Sequence, residues 1–235
     1  MDLTILIPSH KEGVLVRDTY ETVKYQLDQA GISDYEVIIS NCFHEGDTTP
    51  QYAEQCAKQD SRVVYKQRST CWNLGKHYRT AIAEARGRYF MMVPGDNEIV
   101  GKALASVFAK LGSADMVITY TENPEVRSMT RRFISRLFVL TYNTLFGLRL
   151  SYYNGTNLYR TDLLKNLPPI TDSFGYAAEI IVRLLSTKPP ATYVEVPMPI
   201  YPPQPGRKTA AFRLQNVWGV AVALGKLFWE IRTSS

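Results

Sequence analysis

The stretch "GRYFMMVPGDNEIVGKAL", Gly87 to Leu104, decides the fold. An apolar run of strand length, Arg88–Val93, closes on Pro94-Gly95-Asp96-Asn97-Glu98, and a helix-like pattern follows through Leu111. The same alternation extends to both sides. Leu3–Pro8 and Tyr35–Ser40 read as strands, and Val16, Tyr20, Val23 and Leu27 between them recur at helical spacing up to Gly31. A helix is expected over Thr49–Gln59, a strand over Arg62–Lys66, a helix from Leu74 that Gly87 terminates, and a strand over Asp115–Tyr120. Strand–helix alternation of this kind predicts an α/β fold: a mostly parallel sheet with helices on both faces, its ligands beyond the carboxyl ends of the strands.

From residue 121 the pattern is less regular. It predicts a long helix over Val126–Phe146, a loop, short strand and helix start over Asn154–Leu164, and a helix over Gly175–Ser186. A strand over Ala191–Ile200, a loop over Pro202–Lys208 and a tail helix over Ala210–Arg232 complete the chain. No linker separates the halves, so 1–235 reads as one domain. Residues 1–120 form its first half and 121–235 a second half with helical and β extensions and an amphipathic C-terminal helix.

Composition narrows the function classes. The net charge of +5 is uneven: 13 Lys/Arg face 15 Asp/Glu up to Tyr120, and 14 face 7 from Thr121 onward. A basic second half suits an anionic partner, and a solvated basic surface suits the same numbers. The odd cysteine count (Cys42, Cys56, Cys71), with no C-x-x-C pair, fits a reducing cytoplasm. His10, His44 and His77 have no zinc-ligand spacing. "MDLTILIPSH" is acidic at its second residue and does not read as a signal peptide. The longest apolar stretches, Phe133–Leu148 and Val217–Trp229, are interrupted by cations and fall short of the roughly 20 residues needed to span a bilayer. A soluble or peripheral protein is expected, and Trp218 and Trp229 suit either a packed or an interfacial tail helix.

The polar residues after the strands carry the chemistry. Asp96 and Glu98, two apart, are expected to point the same way from an extended segment. Their hard oxygens suit Mg2+ or Mn2+, because magnesium commonly uses one or two carboxylates with substrate phosphates and waters. An ordinary turn would use the same Pro-Gly-Asp-Asn residues. Ser9, His10 and Glu12 follow the first strand, and Asn41, Glu45 and Asp47 the second. Gly75 permits close backbone approach, and Lys76 beside it could meet a phosphate. The P-loop spacing is absent. Arg127 and Arg131, like Arg132 and Arg136, are four apart on the expected long helix, and Arg207 and Lys208 sit in a loop beside Gly206. A phosphate-bearing acceptor or an anionic bilayer would draw on these cations.

The order of motifs resembles the inverting glycosyltransferases of family 2 with the Rossmann-like GT-A fold, in particular the polyprenyl- or dolichyl-phosphate mannose and glucose synthases. "ILIPSHKE" resembles the opening strand and P-x-x-N-E motif, with Pro8 and Glu12 matching and Lys11 replacing the Asn. "NLGKHYRTAIAEARGRYF" resembles the glycine-containing helix and the A-x-G-x-[YF] entry to the fourth strand. "VPGDNE" stands where the family has D-x-D, with Pro94 at the first Asp, Asp96 at the second, and Glu98 at a Gln ligand. "NGTNLYRTDLL", "GYAAEI" and "VEVPMPIYPPQPGRK" resemble acceptor-side segments in the same order.

The resemblance implies a nucleoside-diphosphate sugar held by the first half through Pro8, Ser9, His10, Glu12, Asn41, Gly75, Lys76 and Asp96. It also implies Mg2+ or Mn2+ on Asp96 and Glu98. Transfer with inversion would go to a polyprenyl-phosphate, lipid or glycan acceptor, its phosphate met by Arg127, Arg131, Arg207 and Lys208. A hydroxyl acceptor would need a base, and Glu179 or Asp172 is implied. Contact with the inner face of a membrane is expected, and no nucleic-acid partner. Pro94, and Ser40–Asn41 in place of an acidic pair, leave open an alternative: a nucleotide-sugar-binding protein with a degenerate active site.

Overall fold

The computed structural model describes residues 1–69, 72–202 and 214–233. Seven strands form one sheet: β1 (Leu3–Ser9), β2 (Tyr35–Cys42), β3 (Val63–Arg68), β4 (Tyr89–Met92), β5 (Met116–Thr121), β6 (Leu158–Arg160) and β7 (Tyr193–Met198). Their order across the sheet is β3-β2-β1-β4-β6-β5-β7. The pairs β1–β2, β1–β4, β2–β3 and β5–β7 are parallel, while β6 runs antiparallel to both β4 and β5. The expected mostly parallel α/β sheet is present. β6, from the second half of the chain, joins β4 to β5.

Eight α-helices accompany the strands among the described residues: α1 (Leu15–Gln29), α2 (Thr49–Gln59), α3 (Leu74–Glu84), α4 (Gly101–Phe108), α5 (Met129–Phe146), α6 (Thr161–Lys165), α7 (Tyr176–Leu185) and α8 (Leu214–Thr233). The period-two alternation of strand side chains divides the core into two layers. Leu3, Ile5 and Ile7 of β1, Val37 and Ile39 of β2, and Tyr89 and Met91 of β4 pack with α1, α2 and α4. Leu6, Ile38, Phe90 and Met92 point the other way, toward α3, α5, α6, α7 and α8. Each such fully buried aliphatic side chain contributes roughly 1.5–3 kcal/mol.

The helix ends follow local chemistry. Asn73 caps α3, its Oδ1 accepting from the Lys76 amide at 3.0 Å. Ser128 caps α5 at 3.3 Å from the Arg131 amide, and Gly147 ends that helix with φ +67°. The helix expected from Val126 therefore starts at Met129, preceded by a 3-10 turn over Pro124–Val126. Arg127 lies before α5 in extended conformation. The face it was expected to share with Arg131 through helical spacing does not exist.

At the amino-terminal edge of the sheet a buried polar network joins three segments. Glu36 is 2% exposed; its Oε1 accepts from Thr4 Oγ1 at 2.7 Å and from the Arg86 amide at 2.8 Å, and its Oε2 from Arg86 Nε at 2.6 Å. Thr4 Oγ1 accepts in turn from the Gly87 amide at 2.8 Å. This clamp leaves the opposite edge, where the strands' carboxyl ends lie, for polar loops.

Candidate active site

The "PGDNE" segment leaves β4 as a turn. The Gly95 amide donates to the Pro8 carbonyl at 3.1 Å, and a Cβ on Gly95 would lie 2.5 Å from Ser9 Oγ. Glycine suits this turn, since any larger residue would displace Ser9 Oγ and crowd the Pro8 carbonyl at 3.0 Å. Asp96 Oδ1 accepts from the Glu98 amide at 3.2 Å, and Asn97 between them has φ +53°. The expected extended segment is thus replaced by an Asx-type turn, because Asn tolerates the left-handed region and the Asp side chain substitutes for backbone pairing. Both carboxylates still reach one cleft.

That cleft, of about 150 Å3 and open to solvent, takes its walls from distant parts of the chain. Ile99 bridges Ile200 in antiparallel fashion, and Asn123 holds the Ile200 backbone through two hydrogen bonds of 2.9 Å. Asn157 Oδ1 accepts from the Thr119 amide at 2.8 Å, drawing the 154–156 loop onto the end of β5. Asp96, Glu98, Arg127 and Arg131 line the space together with Tyr152 and Tyr201. Arg127 Nη1 donates to Tyr152 Oη at 3.2 Å, while its buried Nε has no hydrogen-bond partner. Burial, and then the neighbouring Arg127, pull the Arg131 guanidinium below its ordinary value, with Glu98 opposing.

The donor set fits a hard divalent cation: two carboxylates in one open cleft, with room for phosphate oxygens and water. Among the described residues no group of three or more His, Cys, Asp or Glu is gathered for a metal, so the chain's own share would be these two carboxylates.

The other expected donor-site residues lie outside the lining of that cleft. Pro8, Ser9 and Asn41 end β1 and β2, and Ser9 pairs with Asn41 in the register. Ser9 Oγ and Asn41 Oδ1 are buried without hydrogen-bond partners, while Asn41 Nδ2 donates to Asp47 at 3.2 Å. His10 is exposed, its ring 6.0 Å from that of His44, and Glu12 is half-buried in the same loop. Gly75 makes its close approach to the chain itself: a Cβ there would lie 2.6 Å from the Thr171 carbonyl oxygen. Lys76 Nζ sits 4.6 Å from the centre of the Trp72 ring.

Glu179 is 6% exposed within α7 and lies apart from the cleft-lining side chains. It accepts from Arg183 Nε and the Thr171 amide, both at 2.9 Å. Its carboxylate is occupied in holding α7 to the preceding loop, and no base role is assigned to it. Asp172 pairs with Arg79 at 2.8 Å. Arg207 and Lys208 lie outside the described residues.

Two features escaped the sequence reading. Tyr152, Tyr201 and the 154–156 loop supply much of the cleft, yet only the Asn-Gly-Thr turn chemistry hinted at them. His77, without a motif, is buried between Ser40 and Cys42: Nδ1 lies 2.9 Å from Ser40 Oγ and Nε2 3.4 Å from Cys42 Sγ. Arg68 Nε donates to Ser40 Oγ at 3.0 Å, so Arg68, Ser40 and His77 form one buried network. Burial, then Arg68, lower the His77 pKa to about 4.

The mostly parallel α/β sheet thus carries an acidic-and-basic cleft beyond its strands, the region where such sheets bind ligands. A sequence model of glycosyl transferase family 2 matches residues 4–181, and the chain belongs to that family. No curated protein matches it in sequence. Among solved structures, glucosyl-3-phosphoglycerate synthase from Mycobacterium tuberculosis in complex with UDP has a TM-score of 0.69 at 11% identity, covering 98% of this chain and 79% of that one. The same enzyme with Mn2+, UDP and phosphoglyceric acid gives 0.65 at 12%, covering 97% and 78%. S. aureus TarS 1-349 gives 0.51 at 18%, covering 71% and 49%. At these identities the likeness is one of fold.

Proposed function

We propose that this family 2 glycosyltransferase moves a sugar from a nucleoside diphosphate to a phosphate borne by a polyprenyl or similar lipid, with inversion at the anomeric carbon. One observation carries the reading: a single cleft holds Asp96 and Glu98 together with Arg127 and Arg131. The carboxylates would hold Mg2+ or Mn2+, which when bound supplies positive charge beside the leaving diphosphate. The two guanidiniums would bind and orient the acceptor phosphate. Such a monoester, with its second pKa near about 6, is already ionised at neutral pH and needs no base. Ser9 and Asn41, at the ends of β1 and β2, would meet the nucleoside. UDP in the fold neighbours makes uridine the first base to try.

Turnover of UDP-hexoses with a polyprenyl phosphate, with and without Mn2+, tests this reading. Mn2+-stimulated transfer is expected, with Asp96→Ala lowering kcat/KM by about 100-fold or more and Arg131→Ala raising the acceptor KM. Metal-independent transfer that survives Asp96→Ala overturns the role given to the carboxylates. Pro94, half-buried in the cleft wall where a first carboxylate is wanted, favours a second reading: a protein that binds the nucleotide sugar without transferring it. UDP-sugar binding by calorimetry with neither transfer nor hydrolysis would select it.

A further inference from the structure

We propose that α5 and α8 together form a docking face for a bilayer rich in anionic lipid. α5 packs inward through Phe138, Tyr142 and Phe146; the Phe138 and Tyr142 rings are 4.5 Å apart, and Tyr142 lies 5.1 Å from Tyr153. Its outward stripe is also apolar. Met129 is 77% exposed, Phe133 70%, Leu137 52% and Leu140 62%. These positions repeat at helical spacing and form one continuous line. A helix apolar on the side facing water has lost half the reason for its pattern unless something covers it.

α8 repeats the arrangement. Leu224, Leu227 and Ile231 face the core, whereas Trp218 and Trp229 are 72% and 71% exposed on the other side with Val222 between them. The two helices pack on the same core layer and meet where the Phe146 and Phe228 rings approach to 6.2 Å.

Charge selects the occupant. α5 carries Arg131, Arg132 and Arg136 and no acidic residue. α8 adds exposed Lys226 and Arg232, and its Glu230 is paired with Arg183 at 2.6 Å. A second copy meeting this face about a two-fold axis would set arginine against arginine. Anionic headgroups turn the same charges favourable, while exposed tryptophans lodge at headgroup depth. Among the described residues no helix is long and apolar enough to cross a membrane, so the face would lie on the surface. Arg131, at the start of α5, lines the cleft, so docking brings the cleft wall to the lipid. The proposal stands on the two helix faces and does not require the transfer reading.

Sedimentation of the full chain with vesicles tests it. Vesicles of phosphatidylcholine with one part in three phosphatidylglycerol should bind at least about tenfold more tightly than pure phosphatidylcholine, and less so as salt rises. The triple variant Phe133→Ser, Leu137→Ser, Leu140→Ser should lose about tenfold or more on the anionic vesicles, as should Trp218→Ser with Trp229→Ser. Arg132→Gln with Arg136→Gln should lose affinity for anionic vesicles only. Circular dichroism and the thermal shift given by UDP should stay unchanged in every variant, which separates this result from a failure of donor binding. No binding to either vesicle, or binding that the variants leave intact, overturns the proposal. So does a concentration-dependent dimer in light scattering that the triple variant dissolves.

Discussion

Lys11 has φ +59°, a left-handed conformation that costs a residue with a Cβ roughly 1–2 kcal/mol. Asp47 holds it there: the carboxylate receives the Lys11 amide, the Thr49 amide at 2.9 Å and the Thr49 hydroxyl at 2.6 Å. The position is where the family motif has Asn, which tolerates this region. Lys11→Asn should therefore raise the unfolding free energy by about 0.5–1 kcal/mol, read from urea unfolding at constant m. The sequence marked Lys11 as a departure but could not show its dihedral, which Asp47 imposes from 36 residues away. His77 makes a second case. Its folded pKa of about 4 lies below the ordinary 6.5, so the unfolded chain binds the extra proton between those values. The stability this burial preserves is complete above about pH 6.5 and is lost as pH falls toward 4, by up to about 3 kcal/mol. Unfolding curves across pH 4.5–7.5 should show that slope in the wild type and a shallower one in His77→Gln.

Elements explain why some expected site residues serve packing instead. The amino-terminal end of α3 touches the Thr171–Asp172 backbone, which accounts for Gly75 without any ligand. α7 is amphipathic and buried along most of its length, so Glu179 in its first turn falls inside the protein. Arg183, one turn later, holds it at 2.8 Å and also reaches Glu230 of α8. Removing one partner of such a pair strands the other charge. Glu179→Gln should lower the unfolding free energy by about 2–4 kcal/mol while leaving UDP affinity, measured by calorimetry at a temperature where the variant is folded, unchanged. A large loss of donor or acceptor binding in the folded variant would instead tie α7 to the site. The presence of these elements was legible, because apolar periodicity is local, whereas the start of α5 was not: Ser128 caps it, and it begins at Met129, three residues beyond the expected Val126. Which polar residue of a helix faces the cleft was not legible, since Glu179 and Arg131 look alike to a periodicity argument.

Across the whole molecule, the Glu36–Thr4–Arg86–Gly87 network fastens one edge of the sheet while the opposite edge opens into the cleft. Glu36→Ala would leave the Thr4 hydroxyl and Arg86 amide unsatisfied in a buried setting, and a loss of about 3–5 kcal/mol is expected in urea unfolding. The chain's alternation of strands and helices settled by itself that the sheet would be mostly parallel, because side-chain periods of two and 3.6 are local properties of the backbone. It also singled out Asp96 and Glu98, which share one turn. Only the tertiary structure decided that β6 enters antiparallel between β4 and β5, and that Arg127 and Arg131 face those carboxylates' cleft while Glu179 is sequestered. Those outcomes depend on contacts between segments far apart in the chain, where neither spacing nor residue type carries the information.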